Sequence, residues 1–106
     1  MIGRADFVFT IGYEGTTAVV DGSLKKKYGR YNTEALAQEG LFKQALCSAV
    51  YELSGKDAGA AAGGQLEKVL EIFNSRAEQK LGSVEELKRI FGVFEVPEGI
   101  ARVLVI

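Results

Sequence analysis

The sequence predicts an α+β domain. The expected architecture is a two-layer sandwich with an N-terminal β-hairpin, two long helices plus one short helix, and a C-terminal strand joining the sheet. Three observations carry this. Aromatic and β-branched residues alternate near the start, at Phe7, Phe9, Ile11 and Tyr13. Apolar residues then recur with helical spacing through the middle of the chain. A β-rich run, Ala101-Arg102-Val103-Leu104-Val105-Ile106, follows the helices.

The alternation from Phe7 to Tyr13 reads as a strand, and Thr16 to Val20 as a second, ended by Asp21-Gly22. Glu14-Gly15 joins them; a type I turn with Gly15 left-handed, making a bulge, suits this pair. Both hairpin faces are fairly apolar, which predicts cover on both. Asn32 or Thr33 then caps a helix with Glu34 in its first turn, running to Leu53 or Ser54 with Gly55 as its stop. Its second half is apolar around most of its circumference; only Gln44, Ser48 and Glu52 form a narrow polar stripe. Such a helix must be buried on several sides, and a second copy of the chain is one candidate cover. Gly40 weakens its middle by about 1 kcal/mol relative to Ala.

Gly55 to Gly64 reads as a mobile Gly/Ala linker. It lacks the Gly-Lys-Ser/Thr ending of a phosphate loop and follows a helix rather than a strand, so neither nucleotide fingerprint applies. Leu66, Val69, Leu70, Phe73, Ala77 and Leu81 then fall on one helical stripe, with Gly82 as the stop. Ser83-Val84-Glu85-Glu86 has the spacing of a capping box and opens a short helix through Phe91, closed by Gly92. Val93 to Val96 reads as a short strand and Pro97-Glu98-Gly99 as a turn. The nearly continuous apolar run after it predicts a central or doubly covered strand beside the hairpin.

The 106 residues amount to one domain, 1–106, able to build a core without disulfides or metal. Apolar residues are 47% and charged residues 25%, ordinary for a globular chain. There is one cysteine and no histidine. This removes serine–histidine and cysteine–histidine nucleophile systems and the usual zinc sites. The sequence implies no catalytic residue, no cofactor and no metal. An unbridged thiol, with neither a signal peptide nor a membrane-spanning run, predicts a cytoplasmic protein without membrane association.

One segment departs from ordinary composition. Between Ser23 and Thr33 lie Lys25, Lys26, Lys27 and Arg30, with Tyr28 and Tyr31 among them and no acid, in a chain of net charge −1. Cations attract phosphates and tyrosines stack on bases, so these six residues are the candidate anion-binding site. The plainer reading is a solvated connector, or lysines guarding a strand edge. An isoelectric point near 5.5 sits poorly with a nucleic-acid domain. Cys47 reads as a small core residue. Glu14, Asp21 and Glu52 read as turn and helix-surface acids, and Tyr13 and Tyr51 as core-edge residues.

Three functions remain. The first is a small non-catalytic protein acting through protein–protein contact as a homodimer or higher homo-oligomer, using the apolar helix or the last strand. The second is a binding module for nucleic acid or another anionic ligand through the basic segment 25–31. The third is an enzyme whose site forms between subunits.

Overall fold

The computed structural model describes residues 2–54, 60–93 and 95–106. The predicted α+β class holds, with a three-stranded mixed sheet against a helical layer. In chain order the elements are α1 (Arg4–Val8), β1 (Thr10–Glu14), β2 (Thr17–Val20), α2 (Gly22–Tyr28), α3 (Thr33–Gln38), α4 (Phe42–Ser54), α5 (Ala60–Arg76), α6 (Val84–Phe91) and β3 (Arg102–Val105).

The first departure from expectation is at Phe7. The alternation predicted a strand from there, yet Phe7 and Val8 end a short helix and the strand begins at Thr10. Phe7, Val8 and Phe9 are all buried. A strand covered on one face alternates burial and cannot hide three consecutive side chains; a helical turn can. Five residues make no stable helix alone, so packing decides here. α1 touches both β2 and α4 and thereby joins the sheet to the helices.

β1 and β2 form the predicted hairpin, with Glu14 opposite Thr17 and Gly15 left-handed at φ +60. Its loop is two residues, with positive φ at the first only, so the expected type I turn with a bulge is not what forms. The bulge lies instead between Thr10 and Gly12, where Ile11 is the extra residue. On β2, Ala18 and Val20 are buried while Thr17 and Val19 are only half-buried. The hairpin is therefore covered on one face rather than two.

The basic segment is not a connector. Asp21 accepts the Leu24 amide at 3.1 Å and caps α2, which places Lys25, Lys26 and Lys27 in the last turn, where cations complement the helix dipole. The expected single helix from Asn32 to Ser54 is two. Asn32 caps α3 by accepting the Ala35 amide at 2.8 Å. Gly40, at φ +82, ends it: its amide reaches the Ala37 carbonyl, and the Leu41 amide the Leu36 carbonyl. This is the Schellman arrangement, which needs a left-handed residue and explains why glycine stands there. α4 then starts afresh at Phe42.

Part of the expected linker is helical, since α5 begins at Ala60; positions 55–59 lie outside the described residues. α5 stops at Arg76, short of Gly82. Asn74 binds both the amide and the carbonyl of Leu81, at 2.9 Å each, and so folds the chain back. Ser83 caps α6 as predicted, accepting the Glu86 amide at 3.2 Å, and Gly92 closes it at φ +65. Phe42, Phe73 and Phe91 join α4, α5 and α6 through ring contacts of 5.2 to 6.2 Å, each worth about 0.5–1.5 kcal/mol beyond area burial. The predicted strand at 93–96 does not form at Val93, Glu95 or Val96; Phe94 lies outside the described residues.

The last strand pairs with β2 in parallel, Ala18 with Val103 and Val20 with Val105. The sheet order is β1-β2-β3, so β3 is an edge strand rather than the central or doubly covered one expected. All four of its residues are exposed.

Candidate functional site

Register places the β3 side chains. Val103 and Val105 extend the row of Ala18 and Val20 that faces the helices, while Leu104 lies beside Val19 on the opposite face. The helical layer does not reach this far. Val103 is 40% exposed, Leu104 52%, Val105 50% and Ile106 65%. Among the described residues no strand pairs with the far edge of β3. An apolar edge of this kind is a template for another strand unless charge, proline or a bulge blunts it. Within β3 only Arg102 supplies a side-chain charge.

Gly22 holds the end of β3 in place. Its amide donates to the Ile106 carbonyl at 2.9 Å, and a Cβ at Gly22 would lie 2.7 Å from that oxygen and 2.9 Å from the Val105 side chain. Close approach therefore requires glycine at the start of α2.

The six candidate anion-binding residues do not converge. Lys25 turns back to Asp6 on α1, with Nζ 2.6 Å from Oδ1. Lys27 lies over the Tyr28 ring at 5.2 Å from its centroid, and Tyr28 meets Tyr31 edge-on at 5.0 Å. Both rings thus contact each other and pack against the core, which leaves poor platforms for a stacked base. Lys26, Lys27 and Arg30 are exposed. Asn32 occupies the Ala35 amide, so the start of α3 is already capped.

A cation that sequence reasoning missed organises this corner. Arg4 donates to the Tyr31 carbonyl at 2.7 Å, the Ser48 hydroxyl at 2.8 Å and the Gly29 carbonyl at 3.4 Å. Ser48 is fully buried and meets the Thr33 hydroxyl at 2.8 Å; Thr33 donates to Glu52 at 3.4 Å. The polar stripe on α4 is therefore an internal seam. It clamps the α2–α3 junction through Arg4, and the signal for it was Ser48 and Glu52 standing four apart on an otherwise apolar helix.

The apolar arc of α4 is covered within the chain. Ala45, Leu46, Cys47, Ala49 and Val50 are all buried, and α1, α3, α5 and α6 all pack against this helix. A second copy is not needed to cover it.

Two concavities stand out among the described residues. One of about 270 Å³ lies between β1 and α4, with Cys47 at its base and Tyr13, Ile11 and Lys43 on its walls. Burial pushes the Cys47 thiol up to about 11 against a weaker opposing effect of Lys43. Burial raises the Tyr13 phenol as well. Both shifts favour the neutral forms, the opposite of what an activated nucleophile needs. The other, about 710 Å³, opens beside α6 and is lined by charges of both signs, Glu85, Lys88, Arg89 and Glu98 among them. The three acids nearest the apolar elements have separate places: Asp21 is a helix cap, Glu52 belongs to the Arg4 seam and Glu14 lies exposed at the hairpin turn. Tyr51 donates to the Ile2 carbonyl at 3.0 Å, a core-edge role.

Among the described residues no three Cys, Asp or Glu side chains gather as a metal cluster would require. Among the same residues no helix is long and apolar enough to cross a membrane. Comparison with protein-family models, curated proteins and solved structures yields no match for this chain.

Proposed function

We propose that this protein acts through protein–protein contact, associating with a second copy of itself at the open edge of β3. The observation that supports this reading is the exposure of Val103, Leu104 and Val105, and of Ile106 just after them, on a strand whose far edge no described strand occupies. Any partner strand must be apolar on both faces to cover both Val103/Val105 and Leu104. The chain owns such a strand, and a net charge of −1 gives two copies little mutual repulsion.

Magnitudes set the expected strength. Each fully buried Val, Leu or Ile side chain gains about 1.5–3 kcal/mol, and these four start half-exposed. The new contact spans several hundred Å² in total, under the roughly 1,000 Å² of a durable interface. Association costs at least about 4 kcal/mol. The result is a reversible dimer weaker than about 1 µM. Sedimentation velocity from about 10 µM to about 1 mM tests this. The expected outcome is a monomer–dimer shift with concentration, abolished by Leu104→Lys with the fold intact by circular dichroism. A monomer across the whole range sinks the proposal.

A further inference from the structure

Backbone bonding across β2 and β3 fixes which atoms face the open edge. Arg102 N–H donates to the Thr16 carbonyl at 3.2 Å and Ile106 N–H to the Val20 carbonyl at 3.0 Å. The Ile106 carbonyl accepts from Gly22. In a parallel ladder a residue directs both its N–H and its C=O to the same neighbour, and successive residues alternate sides. Arg102, Leu104 and Ile106 are thus bonded toward β2. Val103 and Val105 direct both backbone groups outward.

We infer that two copies pair β3 antiparallel about a twofold axis at Leu104, which deepens the self-association reading and rests on it. In this register Val103 of each copy exchanges both backbone bonds with Val105 of the other, and every outward group is satisfied. A twofold axis at Val103 instead sets Val105 against Ala101, whose N–H already donates to the Thr16 carbonyl at 2.8 Å. The Leu104 register leaves no such conflict. Leu104 then meets its own counterpart as a non-hydrogen-bonded pair, the closer of the two antiparallel pair types, with Cα atoms about 4.5 Å apart. The two valine rows continue the core-facing row of Ala18 and Val20 across the axis. The product is one six-stranded sheet, β1-β2-β3-β3-β2-β1, whose outer edges are the hairpin strands.

Single cysteine variants test the register. Leu104→Cys and Ile106→Cys are oxidised mildly at a concentration where sedimentation shows dimer; buried Cys47 in the unsubstituted chain is the control. Leu104 lies on the axis, whereas the two Ile106 residues are offset by four positions, about 14 Å. Leu104→Cys should cross-link at least tenfold faster than Ile106→Cys. Equal rates, or a faster Ile106→Cys, with dimer still present by sedimentation overturn the register and leave self-association standing. Absence of dimer at every concentration overturns both.

Discussion

α4 and β3 are both strongly apolar, and they meet opposite fates. α4 has six consecutive buried residues, Ala45 to Val50, closed in by helices of its own chain. β3 has four consecutive exposed ones. Apolar content alone therefore does not locate an interface. What separates the two is whether neighbouring elements extend far enough to cover them, and that is a tertiary property. The helical layer wraps α4 through the Phe42–Phe73–Phe91 triangle and the Arg4 seam, and it ends before the sheet does.

Substitutions on the two sides of this contrast should behave differently. Leu46→Ala, at a fully buried site on α4, should cost about 2–5 kcal/mol in urea unfolding. A cost under about 1 kcal/mol would mean α4 is not the closed core described. Arg4→Ala removes the donor to the Tyr31 and Gly29 carbonyls, leaves the Ser48 hydroxyl with Thr33 alone, and should cost about 1–3 kcal/mol. Amide exchange at Gly29 to Tyr31 should accelerate with it. Gly40→Ala forces a side chain into a left-handed backbone and should cost about 1–2 kcal/mol, with no clash to relieve since nothing lies within 4 Å of its Cβ position. Leu104→Lys, on the open side, should change monomer stability by less than about 0.5 kcal/mol. A large loss there would show that β3 is covered after all and would erase the contrast.

Alkaline pH gives a further handle on the closed side. The Cys47 thiol titrates near 11 in the folded chain, above its ordinary 9.0, so folding favours the protonated form. That contribution is complete below pH 9 and is lost as pH rises toward about 11. At a pH of about 8, below the ordinary thiol range, Cys47 should react with a disulfide reagent far more slowly in the native protein than in urea. Comparable rates would show that α4 opens readily.

Local signals in the sequence were reliable where chemistry is local. Ser83, Asn32, Gly92 and the left-handed Gly15 were all readable, because a cap or turn is set by the residue that makes it. Gly40 was legible as a weak point but not as a stop, since a Schellman end depends on Leu36 and Leu41 bonding across the turn. Phe7 read as strand because alternation there is real; three consecutive buried residues, seen only in three dimensions, override it. The apolar run at 101–106 implied central burial, and nothing local distinguishes a central strand from a bare edge. The six basic-segment residues were legible as a cluster. Their destinations depend on Asp6 and on how α2 is oriented, which lie beyond the segment itself.

The parallel pairing of β2 with β3 brings together residues 85 positions apart, with most of the helical layer between them. Closing so long a loop carries a large entropy cost before any ladder bond forms, and parallel pairing with such separation is slow. β3 should therefore be the last element to dock during folding and the first to detach in the native state, ahead of any helix. A detached β3 leaves β2 itself as an open edge, ready to receive the same strand from another molecule. Exchange of β3 between copies would then proceed on the timescale of local opening rather than of global unfolding.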